Sequence, residues 1–358
     1  MTGNLTVLAG TGAFNATPFP SDQAWPATSI AVPAPTAMAC DSIFGAVYAI
    51  VAQNQVIQLS IFASPPTVRL FAGIGGAAGS SPDFTPAYFA RFANPQGLFV
   101  NSKAYPHVLY IVDTQNCRIR SLNAFIGSQG YLSSFAGTGE CKFAGDGRPP
   151  IQTHLSYPVG MVVSASGDAF VSEEGGRVRR AANAGLSPNY GVYVAMTTVV
   201  ASAASAAVGW QAPRGLATRP VSNTLVVATG INNRIVSLSF DDSTNTSAQR
   251  FGLGTVVGSG FPGSIIPGDP TLVSTRQVVG LARASYGEFV RSILFFSDAG
   301  ALGITTVSVA YLPEHVMPSC RQPCRLGLVD RRGIKCNGRR WQRPTRVRSR
   351  PALPFIPV

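Results

Sequence analysis

The chain has 358 residues, of which 12% are charged, with a formal net charge of +12, six Cys and three His. A chain of this length can form one large all-β unit or two smaller domains, and its 37 Gly and 27 Pro suit many tight turns between short strands. Eleven of the 28 basic residues but only one of the 16 acids, Asp330, lie in 321–350. That leaves 17 basic and 15 acidic residues elsewhere, so the bulk of the chain is nearly neutral and its overall charge is no argument for nucleic-acid binding.

One phrase recurs along the chain. Thr6–Gly12 (TVLAGTG) returns at Arg69–Gly75 (RLFAGIG) and Ser133–Gly139 (SSFAGTG), and more loosely at Thr197–Ser202 and Gly254–Gly260. The copies start roughly 55 to 65 residues apart, which marks a repeat architecture whose units must stack to bury their apolar faces. Each unit reads as four strands. The first is led by Pro: Pro35–Cys40, Pro95–Val100, Pro158–Val163 and Pro213–Thr218. The second is apolar and usually ends on a polar residue: Val47–Val51, Leu109–Asp113, Ala169–Glu173 and Leu225–Thr229. A tight turn leads to the third: Asn54–Leu59, Asn116–Leu122, Gly176–Arg180 and Asn233–Leu238. The recurring phrase is the fourth. Short strands bounded by Gly, Pro, Asn and Asp form the pattern of a propeller blade. Proline suits a strand's first position, which need not donate to the ladder.

Pro-x-Gly, then LYIVDTQNCRIR (Leu109–Arg120), then FAGTGECKFAGDG (Phe135–Gly147) resembles the NHL-repeat family of β-propellers, in its variety with repeats of about 60 residues. The resemblance covers about residues 5–310. It implies a propeller fold and says little about activity.

The chain opens on a fourth strand, Leu5–Gly10, and the last unit (Val278–Ala282, Ile293–Asp298, Ile304–Val309) lacks one. The expectation is therefore five four-stranded blades closed by the N-terminal strand, with six blades as the alternative. The expected domains are a propeller over 1–312 and an Arg/Pro-rich tail over 313–358 that is disordered or a gene-model artefact. The charge-free run Ala181–Pro213 is long enough to raise a membrane helix, but the repeat phase requires a strand at Thr197–Ser202, so no span is expected. The opening MTGNLT lacks the features of a signal peptide, whereas sequons at Asn4, Asn15 and Asn245 point to a secreted or surface parent protein.

Asp113, Glu173 and Asp298 end second strands, Arg118, Arg177 and Arg234 lie on third strands, and Asn54, Asn116 and Asn233 occupy the turns between. These residues either brace the hairpins and blades or form a polar ring at the channel mouth that grips a ligand. Cys117 and Cys141 share one unit and are the candidate disulfide. The Gly-rich matches Gly73–Ala78 and Gly258–Gly263 lack the following helix that a dinucleotide site needs. Asp146 in AGDG reads as a turn residue before a calcium ligand. His107, His154 and His315 lack metal-ligand spacing, no GxSxG is present, and Cys320, Cys324 and Cys336 fit no zinc module, so neither metal nor cofactor is expected. NHL-type lyase propellers hold a metal with several histidines, which three scattered His match poorly. The expected function is a non-catalytic scaffold presenting propeller loops to a protein or glycan. The alternatives are a lyase- or lactonase-type enzyme with its site at the channel mouth, and nucleic-acid binding through the basic tail, which should hold polyanions weakly.

Overall fold

A computed structural model describes residues 7–311 except 14–17, 21–22, 77, 105, 124–129, 183–194, 202–212, 219–223, 230–232, 241–250, 258–277, 287–290 and 300–304, with backbone alone from residue 239 onward. The tail at 313–358 and the three sequons lie outside the described residues.

The described chain is all-β, with short 3-10 turns and no α-helix. The first sheet holds β1 (Trp25–Pro26), β2 (Ala37–Asp41), β3 (Ala46–Val51), β4 (Gln55–Ser60) and β5 (Thr67–Ala72), in the order β1-β5-β4-β3-β2. The second is β6 (Gly97–Asn101), β7 (Val108–Asp113), β8 (Arg118–Asn123) and β9 (Ser133–Ala136). The third is β10 (Pro158–Val163), β11 (Ala169–Glu173), β12 (Arg177–Ala181) and β13 (Met196–Ala201). The fourth is β14 (Pro213–Thr218), β15 (Thr224–Thr229), β16 (Arg234–Phe240) and β17 (Phe251–Val257). All are antiparallel, each built on a four-stranded meander to which the first sheet adds β1 beside β5, and together they form a propeller-like ring. First strands lie side by side: β2 by β6, β6 by β10 and β10 by β14.

Apolar clusters fill the seams between sheets. Tyr48, Val56 and Phe71 pack with Phe92, Leu109 and Ile111; Tyr110, Val112 and Ile119 with Met161, Val171 and Met196; Phe170, Val178 and Val200 with Leu225, Val227 and Val236. Second strands are buried on both faces, so VLYIVD is a continuous apolar run rather than an alternating one. β13 crosses the middle of the run that raised a membrane helix, and among the described residues no helix is long and apolar enough to span a membrane.

Two glycine columns set the spacing. In Pro-x-Gly, a Cβ on Gly97 would lie 2.7 Å from the Val159 carbonyl oxygen, and one on Gly160 would lie 2.4 Å from that of Arg214. Only glycine lets neighbouring inner strands approach so closely. In the recurring AGxG phrase, Gly73 and Gly137 have φ of +96° and +93°, which ends the fourth strand at the preceding alanine, short of the strand the sequence suggests.

The expected blade count and closure are not found. The four sheets above have four or five strands, whereas β18 (Val278–Tyr286), β19 (Arg291–Ala299) and β20 (Thr305–Tyr311) make a three-stranded sheet. Of the expected closing strand Leu5–Gly10, the described part, Val7–Gly10, forms no strand. Gly10, at φ +91°, donates its N–H to the Ala27 carbonyl just after β1, 2.8 Å away. Gly73 and Gly137 turn in the same way and donate to the Ala87 and Pro150 carbonyls, both at 3.0 Å, so Gly10 ends its stretch as the glycines of true fourth strands do, and what is missing is ladder pairing at Val7–Ala9.

Candidate functional site

The repeated polar residues meet at the turn between second and third strands. Val51 pairs with Gln55, Asp113 with Arg118, Glu173 with Arg177 and Thr229 with Arg234. The residue entering the third strand is left-handed in all four sheets: Asn54 (φ 61°), Cys117 (φ 48°), Gly176 (φ 77°) and Asn233 (φ 52°). Asn and Gly tolerate this region best. Cys117 rather than Asn116 is therefore the equivalent of Asn54 and Asn233, because the second sheet has one more turn residue than the first. A bulge follows at one place in each third strand, after Val56, Ile119, Val178 and Ile235.

The turn side chains bond inward. Asn54 Oδ1 accepts the Asn94 N–H at 2.9 Å, and Asn116 Nδ2 donates to Asp113 Oδ2 and to the Gly79 carbonyl, both at 2.7 Å. Asp113 Oδ1 accepts the Ala93 N–H at 2.8 Å, and Glu173 Oε1 accepts the Ser156 N–H at 3.1 Å. Ala93 and Ser156 each stand two residues before the proline of a Pro-x-Gly phrase. The acids thus fasten the segment that leads into each inner strand. Asn233 is buried, and the side chain of Asp298 lies outside the described residues.

Burial pushes the Asp113 carboxyl up to about 6, against the Asn116 and Ala93 hydrogen bonds and then the charges of Arg120 and Arg118. Burial likewise raises Glu173, opposed first by Arg179. A carboxyl raised in the fold favours folding while protonated. The contribution of Asp113 is complete below its ordinary 3.8 and lost as pH rises through about 6. A shift of this size corresponds to about 2–3 kcal/mol. Asp113→Asn, which cannot titrate, should flatten that decline, as urea-unfolding midpoints of both proteins between pH 4 and 7 would show.

The arginines are also engaged. Arg118 donates to the Thr138 carbonyl at 2.8 Å and lies under Gly139, where a Cβ would meet its Nε at 2.9 Å. Arg177 stacks on Phe143, 4.1 Å from the ring centroid. The most deeply buried cations are two that the sequence reading passed over, Arg120 and Arg179, one step past the bulge. Arg120 donates to the Ser81 carbonyl and Asp83 Oδ1, both at 2.7 Å, and Arg179 to the Gly145 carbonyl at 3.1 Å and Asp146 Oδ1 at 2.9 Å. Their acids also take hydroxyls from the fourth strands, Ser134 to Asp83 and Thr198 to Asp146, each at 2.8 Å. Asp146 of the Gly-Asp-Gly turn is thus an arginine anchor. The signal was available: Arg-x-Arg on a third strand, preceded by a loop with a single Asp.

The histidines do not converge. His107 pairs with Asp41 and stacks on Phe44, whereas His154 Nδ1 meets Thr138 Oγ1 at 2.6 Å. Among the described residues no three His, Cys, Asp or Glu are grouped to hold a metal. Cys117 and Cys141 form a disulfide that ties the hairpin turn of the second sheet to the loop carrying Phe143 and Asp146. His315, Cys320, Cys324, Cys336 and Gly258–Gly263 lie outside the described residues.

The surface offers a different feature. Phe84, Phe89 and Tyr131 are 80%, 60% and 63% exposed. They sit on two segments joined by backbone bonds: Phe84 N–H to the Leu132 carbonyl at 2.7 Å, Leu132 N–H to that of Thr85 at 2.8 Å, and Ala87 N–H to that of Gly130 at 2.9 Å. Phe84 has φ +65°, a conformation costly for a bulky side chain.

No family model and no curated protein matches the chain. Among solved structures it is similar to a structural genomics protein of unknown function from Bacteroides thetaiotaomicron, at 11% identity over 82% of this chain and 73% of that one, with a TM-score of 0.42.

Proposed function

We propose that the chain is an NHL-type propeller acting as a non-catalytic binding ring, which presents the aromatic surface of Phe84, Phe89 and Tyr131 to a protein or glycan. The NHL reading is supported by the periodic Pro-x-Gly, Asn/Gly-Arg and AGxG columns. The binding reading is carried by Phe84. A phenylalanine held left-handed costs the fold about 1–2 kcal/mol and here leaves its ring in water. Strain of this kind clusters at functional sites. Asp83, beside it, is fixed by Arg120, so the loop is rigid and loses little entropy on binding.

The test is a panel of glycans and peptides probed with the full chain and with Phe84→Gly. Glycine relieves the backbone strain, so the melting temperature should hold or rise. Binding should fall at least tenfold, an effect of about 1.4 kcal/mol or more. Ligands bound equally well by both proteins would exclude this surface. Turnover of a lactone or ester by the full chain would instead favour the lyase or lactonase reading.

A further inference from the structure

We propose that the central cavity is a second binding site, one for a small organic acid whose carboxylate is held by Arg214. This site is separate from the aromatic surface above. The cavity, of about 480 Å³, is bounded by the four Pro-led inner strands and includes Thr36, Gln96, Leu98, Val159, Met161 and Arg214. A space of that size admits a small ligand.

Among the described residues Arg214 is the only charged one in that lining. The buried arginines have anions, Arg120 with Asp83, Arg179 with Asp146 and Arg180 with Asp168, and the half-buried Arg118 and Arg177 have the Thr138 carbonyl and the Phe143 ring. The guanidinium of Arg214 is half-buried and has no ion pair or hydrogen bond among the described residues. The fold uses the residue's backbone, since its carbonyl accepts the Ser172 hydroxyl at 3.0 Å and faces Gly160. The equivalent positions of the other sheets hold Thr36, Gln96 and Val159, so this column does not need a cation to form an inner strand.

A half-buried guanidinium in a shaped cavity attracts an anion, and its planar fork matches a carboxylate. Met38 and Leu98 in the same lining favour an organic body over inorganic phosphate.

The probes are sodium benzoate and inorganic phosphate, titrated calorimetrically into the full chain at matched ionic strength. Benzoate should bind one to one and more tightly than phosphate. Arg214→Gln should weaken it at least tenfold with the melting temperature unchanged. Gln96→Glu, which sets a carboxylate in the same lining, should weaken it similarly and serves if Arg214→Gln fails to fold. Undiminished binding in either folded variant would assign the anion to the basic C-terminal segment and overturn the proposal. So would saturation by phosphate but not benzoate, or no saturable one-to-one binding of either. Failure here leaves the Phe84 result untouched, because the two experiments read different ligands and residues.

Discussion

Gly137→Ala is expected to destabilise the protein by about 3 kcal/mol or more. Two costs combine at this site. Gly137 has φ +93°, a backbone that costs an L-residue about 1–2 kcal/mol. The added Cβ would also lie 2.2 Å from the Cys117 carbonyl oxygen and 2.9 Å from the Arg118 Cα. Both obstacles are backbone, part of the turn that the Cys117–Cys141 bridge fixes, so neither can swing aside. Overpacking of this kind adds about 1–3 kcal/mol. Gly147→Ala is the control: its φ is +92° but nothing lies within 4 Å of an added Cβ, so only the backbone cost applies. Urea unfolding of both variants separates strain from collision. Equal losses would mean that the close approach to Cys117 is not what demands glycine.

Arg179→Ala should cost about 3–5 kcal/mol at neutral pH. The side chains of Arg179 and Glu173 are fully buried, 3.7 Å apart at the nearest approach. Removing the cation strands Glu173 and frees Asp146 from the loop contact that Arg179 makes. Glu173 is already raised by desolvation and is held down chiefly by Arg179, so the variant should raise it further. Loss of stability should therefore shrink as pH falls and Glu173 takes up a proton. Adding Glu173→Gln to Arg179→Ala should recover part of the loss, since a neutral amide is cheaper to bury. A double variant no more stable than the single one would show that the cost lies in lost packing rather than in the stranded charge.

Much of the fold can be read from the residues. The Pro-led inner strands at Pro158–Val163 and Pro213–Thr218 fall where the sequence sets them, because proline and glycine leave unambiguous local signatures. Strand β13 fell in phase inside a run that composition alone could have assigned to a membrane. Closure was not legible. Leu5–Gly10 carries the same phrase as two true fourth strands, and Gly10 even repeats the turn and loop bond of Gly73 and Gly137, yet its described part, Val7–Gly10, forms no strand, because ladder pairing depends on a partner edge that the phrase itself does not encode. The polar columns were legible as columns but not as partners. Arg118 and Arg120 look alike in CRIR, and only the bulge between Ile119 and Arg120 sends the second beneath the loop of Asp83. Phe84 gave no signal at all, since its importance lies in a backbone angle and an exposure that no residue pattern encodes.

On the reading proposed above, the repeated polar columns are braces and binding belongs to the strained aromatic loop. The most direct measurement sets melting temperature beside ligand affinity for two groups of variants: Asn54→Ala, Asp113→Asn and Arg118→Ala in the columns, and Phe84→Gly in the loop. The column variants should melt lower and bind any glycan or peptide ligand identified for the wild-type chain with its affinity, while Phe84→Gly should melt no lower and lose that ligand. A column variant that melts like the wild type but no longer binds, beside a Phe84→Gly that binds normally, would contradict this and move the site to the turns.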